Sequence, residues 1–328
     1  MSDLALLAEG VVVDPLVGHP ADYHVFHGFI ARCKDLPAIT TAVVWPLSDV
    51  ALQGAVEAAA EGLIDPTLIG DEAAMRALAA KIGVDISAYP ILHADSESKA
   101  AELGVAMCRS GTAQAMMKGS LRTDTLMKAG MSRDTGLRTA RRVSHVYIVD
   151  TPAYNRTLLI SDAAINVAPT LEDKIEIVQN AIDLAHALGI PEPKVALLSA
   201  VETVNSKIKS TLDATALCKM ADRGQITGGI LDGPLAFDTA VNVKAAAIKK
   251  LASPVTGRAD ILVVPDLESG NMLVKQLQYL CGAQLAGIVL GARVPVILTS
   301  RANAAETRLT SCAVAVLLHY AAQPAVQV

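Results

Sequence analysis

From Thr40 onward the chain repeats one pattern: a short apolar run, a turn residue, then a longer segment whose apolar positions recur every three or four residues. That alternation constrains the fold more than any single motif, because it is how buried parallel strands covered by helices read. Ala42–Val44 is strand-like, and Ser48–Glu61 is helical with Leu52, Val56 and Ala59 inward. Thr67–Ile69 is a second strand, and Gly70-Asp71 opens a helix carrying Met75, Leu78, Ala79 and Ile82 on one face. Ile91-Leu92, a helix from Ser96 to Arg109 and a strand over Ala115–Met117 follow. The rhythm then breaks: His145–Val149 and Thr157–Ser161 flank a turn with Pro152 and Asn155, a hairpin signal that marks a second unit. In that unit Thr170 and Asp173 form a capping-box pattern ahead of Ile175, Val178 and Ile182, and Gly189 with Pro191 ends the helix. Strand Lys194–Ser199, helix Asn205–Ala221, strand Gly229–Leu231 ending in Asp232-Gly233, strand Asp260–Pro265, loop Asp266–Asn271 and helix Met272–Leu280 complete it.

The expected class is α/β with two domains. Residues 1–144 and 291–328 form the first, with an N-terminal extension over about 1–38, and residues 145–290 form the second. Hydrophobic residues make up 52% of the chain, yet no apolar run approaches the ~20 residues of a membrane helix. A net charge of -5 and 3% aromatic residues argue against nucleic acid as a partner. Five widely spaced cysteines without a CxxC pair signal neither a disulfide framework nor a zinc site. The first ten residues lack the basic flank of a secretory signal, so a reducing, cytoplasmic setting is expected. In the extension Val25, Phe26, Phe29, Ile30 and Cys33 share a helical face, which suits an added helix or a dimer contact.

Two stretches carry candidate chemistry. Val294–Ile297 reads as a strand, Thr299, Ser300 and Asn303 as helix-start residues, and Leu309, Cys312, Ala313, Val316 and Leu317 as a packed helical face. Ser300 and Arg301 then sit where a strand hands over to a helix, a place suited to phosphate or an oxyanion. The competing reading is a capping serine and a solvated arginine. Lys118-Gly119-Ser120 likewise sets a cation, a flexible backbone and a hydroxyl just past a strand, with Arg122 and Lys128 nearby, though not in Walker A order. Arg133, Arg138, Arg141 and Arg142 form a basic run, either solvated or receptive to phosphates. Asp232 and Asp238 offer paired carboxylates for a metal or acid/base work, or for capping and orienting basic side chains. Gly270-Asn271 permits close backbone approach to a ligand ahead of Lys275. No metal motif emerges from His19, His24 and His27.

Taken in order, MKGS at 117–120, ISDAAIN at 160–166, EPKVALLS at 192–199, DGPLAFDTAV at 232–241, PDLESGNMLVKQL at 265–277 and the final TSRANAAET resemble the phosphate acetyltransferase / phosphate butyryltransferase family over roughly residues 40–320. The ending looks closer to the butyryl-type branch, or to versions fused behind a hydratase domain, than to the long acetyl-type enzymes. The resemblance implies two α/β domains with an interdomain cleft, related to the isocitrate/isopropylmalate dehydrogenase architecture, and a homodimer. It implies transfer of a short-chain acyl group between coenzyme A and inorganic phosphate, with acyl-CoA or acyl phosphate as partners, coenzyme A as a substrate, no tightly bound cofactor and no metal. By resemblance Arg301 holds the phosphoryl group and Ser300 donates to the tetrahedral oxyanion. Acetyl-type members carry an Asp seven residues after the Ser; here Thr307 stands there, and Glu306, one residue short, is either the base or a first-turn helix acid. Ala163 stands where acetyl-type members often have Cys, and Met127 replaces part of an Arg-containing pattern. Lys118, Gly119, Ser120, Arg122, Asp238, Asn271 and Lys275 are the substrate-binding candidates. The competing functions are a non-catalytic ligand-binding homologue and a metal-dependent oxidoreductase using Asp232, Asp238 and Asp266.

Overall fold

The structure, a computed structural model, describes residues 24–298 and 305–322, without the side chains of residues 24, 305 and 306. In chain order the first elements are α1 (His24–Arg32), β1 (Ile39–Val44), α2 (Asp49–Ala60), β2 (Ile64–Gly70), α3 (Glu72–Ile82), β3 (Ile91–His93), α4 (Glu97–Ser110), β4 (Ala115–Lys118) and α5 (Thr123–Gly130). The hairpin β5 (Ser144–Thr151) and β6 (Tyr154–Ser161) leads to α6 (Leu171–Ala187), β7 (Lys194–Leu198), α7 (Lys209–Asp222) and β8 (Ile230–Leu235). Then come α8 (Phe237–Val241), α9 (Val243–Ile248), β9 (Ile261–Val263), α10 (Leu267–Leu280), β10 (Gln284–Leu290), β11 (Val296–Ile297) and α11 (Ala305–Ala321).

Local chemistry sets most of these boundaries. Ser48, Asp71 and Ser96 each accept a hydrogen bond from the backbone N–H three residues on, and Thr170 and Asp173 close a full capping box. Elsewhere the structure corrects the expected boundaries. The segment Asp266–Asn271 is not a loop: Asp266 Oδ1 accepts from Ser269 N at 2.8 Å, and the helix starts at once. The strand expected to stop at Asp232-Gly233 runs on to Leu235, through a register irregularity against β7. Helix α7 starts at Lys209, because Asn205 is held in a turn by Thr211 Oγ1.

All eleven described strands join one sheet, in the order β3-β2-β1-β4-β11-β10-β5-β6-β9-β7-β8. Strands β1 to β4 and β11 are mutually parallel, as are β6, β9, β7 and β8. Between the two sets β10 runs antiparallel to both β11 and β5, and β5 antiparallel to β6. The two parallel sets therefore point in opposite directions, and the registers stagger them so that β4, ending at Lys118, and β6 and β9, ending at Ser161 and Val263, finish within one residue of a common row.

One face of the sheet is covered continuously by α1, α2, α3, α6, α7 and α11, in a core that includes Phe26, Leu52, Met75, Val178, Leu217 and Val316. On the other face the core is split. Helices α4 and α5 bury Val105 and Leu126 against β1 and β4, while α10 buries Val274 against β6 and β9. The extension belongs to the continuous face. Phe26, Phe29 and Cys33 are buried within the chain, and Asp150 Oδ2 accepts from Val25 N and Phe26 N at 3.0 and 3.1 Å. The apolar side of α1 is thus consumed internally and is not left over as a dimer contact.

Candidate active site

Between the two separate cores a row of residues crosses the sheet. Gly287 of β10 pairs with Tyr147 of β5, and Leu298 N donates to Gly287 O at 3.3 Å. Since Met117 of β4 pairs with Ile297 of β11, Lys118 stands beside Leu298. Residues two apart on a strand share a face. Lys118 therefore shares the face of Met116, and Tyr147 that of His145.

The Lys-Gly-Ser stretch has a structural explanation for two of its three members. A Cβ on Gly119 would collide with the carbonyl oxygens of Val44 and Trp45, so only glycine lets the chain leave β4 against the end of β1. Ser120 Oγ donates to Trp45 O at 2.9 Å and accepts from Leu47 N at 3.2 Å, tying the two strand exits together. Lys118 is different: it is 6% exposed, and its Nζ lies 3.4 Å from Gly119 O. This places a buried ammonium group beside the exit of β11. Arg122 faces solvent and pairs with Asp124 at 2.9 Å, away from this row.

Ser300, Arg301, Thr299 and Asn303 lie outside the described residues, as does the side chain of Glu306. The framework on either side of them is defined. Ser311 Oγ accepts from Gly287 N at 3.1 Å and donates to Thr307 O at 2.9 Å, so α11 is pinned to the middle of β10. Thr307 is buried.

Sequence reasoning missed His145, Tyr147 and Asp162. The His145 imidazole is fully buried, packs edge-on to Tyr147 at 4.3 Å between centroids, and lies against Gly287. Among the described residues neither of its ring nitrogens has a hydrogen-bond partner. Burial drives its pKa well below the usual imidazole range, against the opposing pull of the Asp162 carboxylate. Asp162 gathers His145 N, Ala164 N, Ile165 N, Asn166 N and Asn166 Nδ2 at 2.6–3.3 Å, which explains the SDAAIN stretch as a turn built on one carboxylate. No spacing signal marks His145; the burial of both its ring nitrogens is a property of the folded sheet.

Asp238, Asn271 and Lys275 follow β8 and β9, which run opposite to β4; the same row continues from Tyr147 through Ile160 to Leu262, so β9 ends at Val263 one residue past the level of Lys118. Asp238 is exposed and pairs with Lys249 at 3.1 Å, a contact that lowers its pKa. Asn271 Nδ2 reaches Ala163 O at 3.4 Å. A Cβ on Gly270 would come within 2.8 Å of the Ala163 Cβ, so that glycine serves helix-on-turn packing instead of ligand approach. Lys275 is exposed. The three aspartates are engaged separately: Asp232 by Gly233 N, Asp238 by Lys249, Asp266 by its own helix start. Among the described residues no three metal-ligating side chains converge. The basic run is also largely spoken for. Arg141 pairs with Asp183 at 3.1 Å, and Arg142 with Asp173 at 2.9 Å and Asn166 at 2.8 Å.

Comparison with known proteins gives the family of this mixed α/β chain. Residues 95–316 match the family described as "Phosphate acetyl/butaryl transferase". A phosphate acetyltransferase of Rhizobium meliloti is 53% identical over 93% of this chain and 96% of its own length. A phosphate butyryltransferase of Clostridium acetobutylicum is 39% identical over 89% of this chain and 97% of its own. The crystal structure of a branched-chain phosphotransacylase from Enterococcus faecalis V583 superposes with a TM-score of 0.75 at 33% identity, covering 86% of this chain and 99% of that one. The chain belongs to the phosphate acetyl/butyryltransferase family and is an enzyme.

Proposed function

We propose that the protein moves a short-chain acyl group between coenzyme A and inorganic phosphate. The observation that carries this reading is the position of Lys118, a buried cation adjoining the residue from which the chain runs on to Ser300 and Arg301. In the proposed reaction Arg301 and Lys118 hold the phosphate of the acyl phosphate, and the coenzyme A thiolate attacks the acyl carbonyl. Ser300 donates to the oxyanion of the tetrahedral intermediate, which collapses with expulsion of phosphate. A thiol with an ordinary pKa of about 8.5 must first lose its proton. Glu306 is assigned that role, with Asp238, Asn271 and Lys275 as contacts to the remainder of coenzyme A. The relatives' names support both acetyl- and butyryl-sized substrates.

The finer architecture belongs to the same reading. Two lobes, residues 1–144 with 291–328 and residues 145–290, flank a cleft over the row from Lys118 to Tyr147, in the manner of isocitrate/isopropylmalate dehydrogenases. The split core on that face supports it. A homodimer is supported by apolar side chains left on α8, α9 and α10: Phe237, Val243, Met272 and Tyr279 are exposed, as are Ile248 at 80% and Leu280 at 81%. No helix among the described residues is long and apolar enough to cross a membrane, and five unpaired cysteines suit a reducing cytoplasm.

The test is thiol release from acetyl-, butyryl- and longer acyl-CoA substrates with and without phosphate. Release should require phosphate or arsenate and peak at one chain length. Ser300→Ala should lower kcat by about 100- to 1000-fold. Release that ignores phosphate would sink the proposal.

A further inference from the structure

On the split face of the sheet, Tyr147 stands where one core ends and the gap between the cores begins. Its neighbour on β6 is Ile160, inside the core that also holds Val149 and Leu262. Its neighbour on β10 is Gly287, which carries no side chain, and beyond that lies Leu298, at the margin of the other core. With strands about 4.8 Å apart, the Cα atoms of Tyr147 and Leu298 are about 10 Å apart. The space over Gly287 is filled by the His145 ring, which is fully buried and meets the Tyr147 ring edge-on at 4.3 Å between centroids. The Tyr147 ring is therefore backed by packed groups on two sides and cannot swing into the floor of the gap.

What this side chain presents to the gap is aromatic surface. Tyr147 is half-buried, so part of the ring stays open while the rest is held by packing. Its hydroxyl makes no hydrogen bond among the described residues, unlike that of Tyr154, which donates to Ala259 O at 2.8 Å. Burial, and after it the Asp162 carboxylate, raises its pKa, so the phenol is uncharged at neutral pH. The opposite margin is apolar as well. Leu298, Met127 and Ile165 pack there, and all three are only half-buried. Ile165 reaches that margin from the Asp162 turn, its backbone N–H donating to Asp162 Oδ1 at 3.0 Å. Half-buried apolar side chains on one margin and a fixed, uncharged ring on the other suit a hydrocarbon chain of limited length.

We propose that Tyr147 determines acyl chain length: its ring is the end wall of the acyl subsite, and shortening it admits longer acyl groups. This rests on the acyl-exchange reading, in which the acyl group lies in the cleft over the row from Lys118 to Tyr147. The ring is the determinant and the hydroxyl is not.

The test uses acetyl-, butyryl- and hexanoyl-CoA with the wild-type chain and with Tyr147→Phe, Tyr147→Leu and Tyr147→Ala. Two quantities are measured: kcat/KM for thiol release with phosphate, and calorimetric Kd without phosphate. One accommodated methylene is worth roughly 10- to 200-fold in a hydrophobic pocket. Tyr147→Ala should raise the hexanoyl-to-acetyl preference at least tenfold in both quantities. Tyr147→Leu keeps an apolar side chain in the strand, guards against misfolding of the alanine variant, and should shift the preference the same way by a smaller factor. Tyr147→Phe should keep the wild-type preference within twofold. An unchanged or lowered hexanoyl preference in the folded Leu and Ala variants overturns the proposal, and so does a shift in Tyr147→Phe as large as theirs. The binding arm contains no phosphate, so it decides the role of Tyr147 whether or not thiol release by the wild type depends on phosphate, which tests the acyl-exchange reading alone.

Discussion

The imidazole of His145 lies over Gly287: a Cβ placed on that glycine would come within 2.9 Å of His145 Nε2 and 2.7 Å of the Leu298 carbonyl oxygen. Neither neighbour has room to yield, because His145 is fully buried and Leu298 is tied to the same glycine through its backbone. Gly287→Ala should therefore destabilise the protein by about 1–3 kcal/mol through overpacking. Its urea midpoint should fall, and turnover should fall further than the loss of folded protein accounts for, since Leu298 leads into the Ser300 junction. A midpoint equal to wild type would show that the row tolerates the methyl group.

His145 also sets a pH dependence. Buried neutral, its pKa is held down to about 4 by desolvation, whereas in the unfolded chain it is about 6.5. Between those values the unfolded chain binds more protons than the folded one, so this contribution is complete above about 6.5 and is lost as the pH falls towards 4. Denaturation midpoints measured near pH 7.5 and near pH 5 should differ more for wild type than for His145→Gln.

Lys118→Met keeps the length of the stem and removes the charge. If the ammonium meets phosphate, the loss of one charge-assisted hydrogen bond costs roughly 1.5–3 kcal/mol, or about 10- to 160-fold in kcat/KM for phosphate. Steady-state kinetics with phosphate varied should register it, and a wild-type value would remove Lys118 from the site.

Two lysines share one carboxylate in the second unit, with very different exposure. Lys174 Nζ lies 2.8 Å and Lys209 Nζ 2.6 Å from Asp213 Oδ2, but the side chain of Lys174 is 6% exposed and that of Lys209 69%. Lys174→Ala opens a cavity and strips a buried carboxylate of its buried partner, an expected loss of about 3 kcal/mol. Lys209→Ala should cost at most about 1 kcal/mol. Parallel urea titrations compare them directly, and equal losses would contradict the difference in burial.

The local layer of the fold was legible because it is written in adjacent residues. Ser48, Asp71, Ser96 and Thr170 cap the helices expected of them, and the expected hairpin forms, with a turn of only Pro152-Ala153 because Asn155 already belongs to β6. The errors fell where tertiary context outranks local composition. Asp266–Asn271 looks like a loop through its Asp, Ser, Gly and Asn, yet Asp266 caps a helix whose Gly270 is needed for packing on Ala163. Arg141 and Arg142 look like a solvated run, and only the fold of α6 against β5 brings Asp173 and Asp183 to them. For the candidate site the sequence supplied Lys118, while the expected Ser300-Arg301 junction lies outside the described residues. It could not supply His145, because a buried imidazole with both nitrogens unpaired has no signature in neighbouring residues. The reversal of strand direction between the two halves takes three antiparallel pairings, β11 with β10, β10 with β5 and β5 with β6, and of these only the β5–β6 hairpin is marked by adjacent residues.

The strand that closes the sheet is nearly the last to be made. β11 is laid between β4 and β10, at the centre of the strand order, and both β10 and β11 come from residues 284–297. While the chain is still on the ribosome, β4 and β5 each wait with a bare edge, the kind of template on which strands from other molecules grow. A message cut short before codon 284 would therefore yield no serviceable half-enzyme but an adhesive fragment, and quality control during synthesis should matter more for this protein than for one whose central strands emerge first.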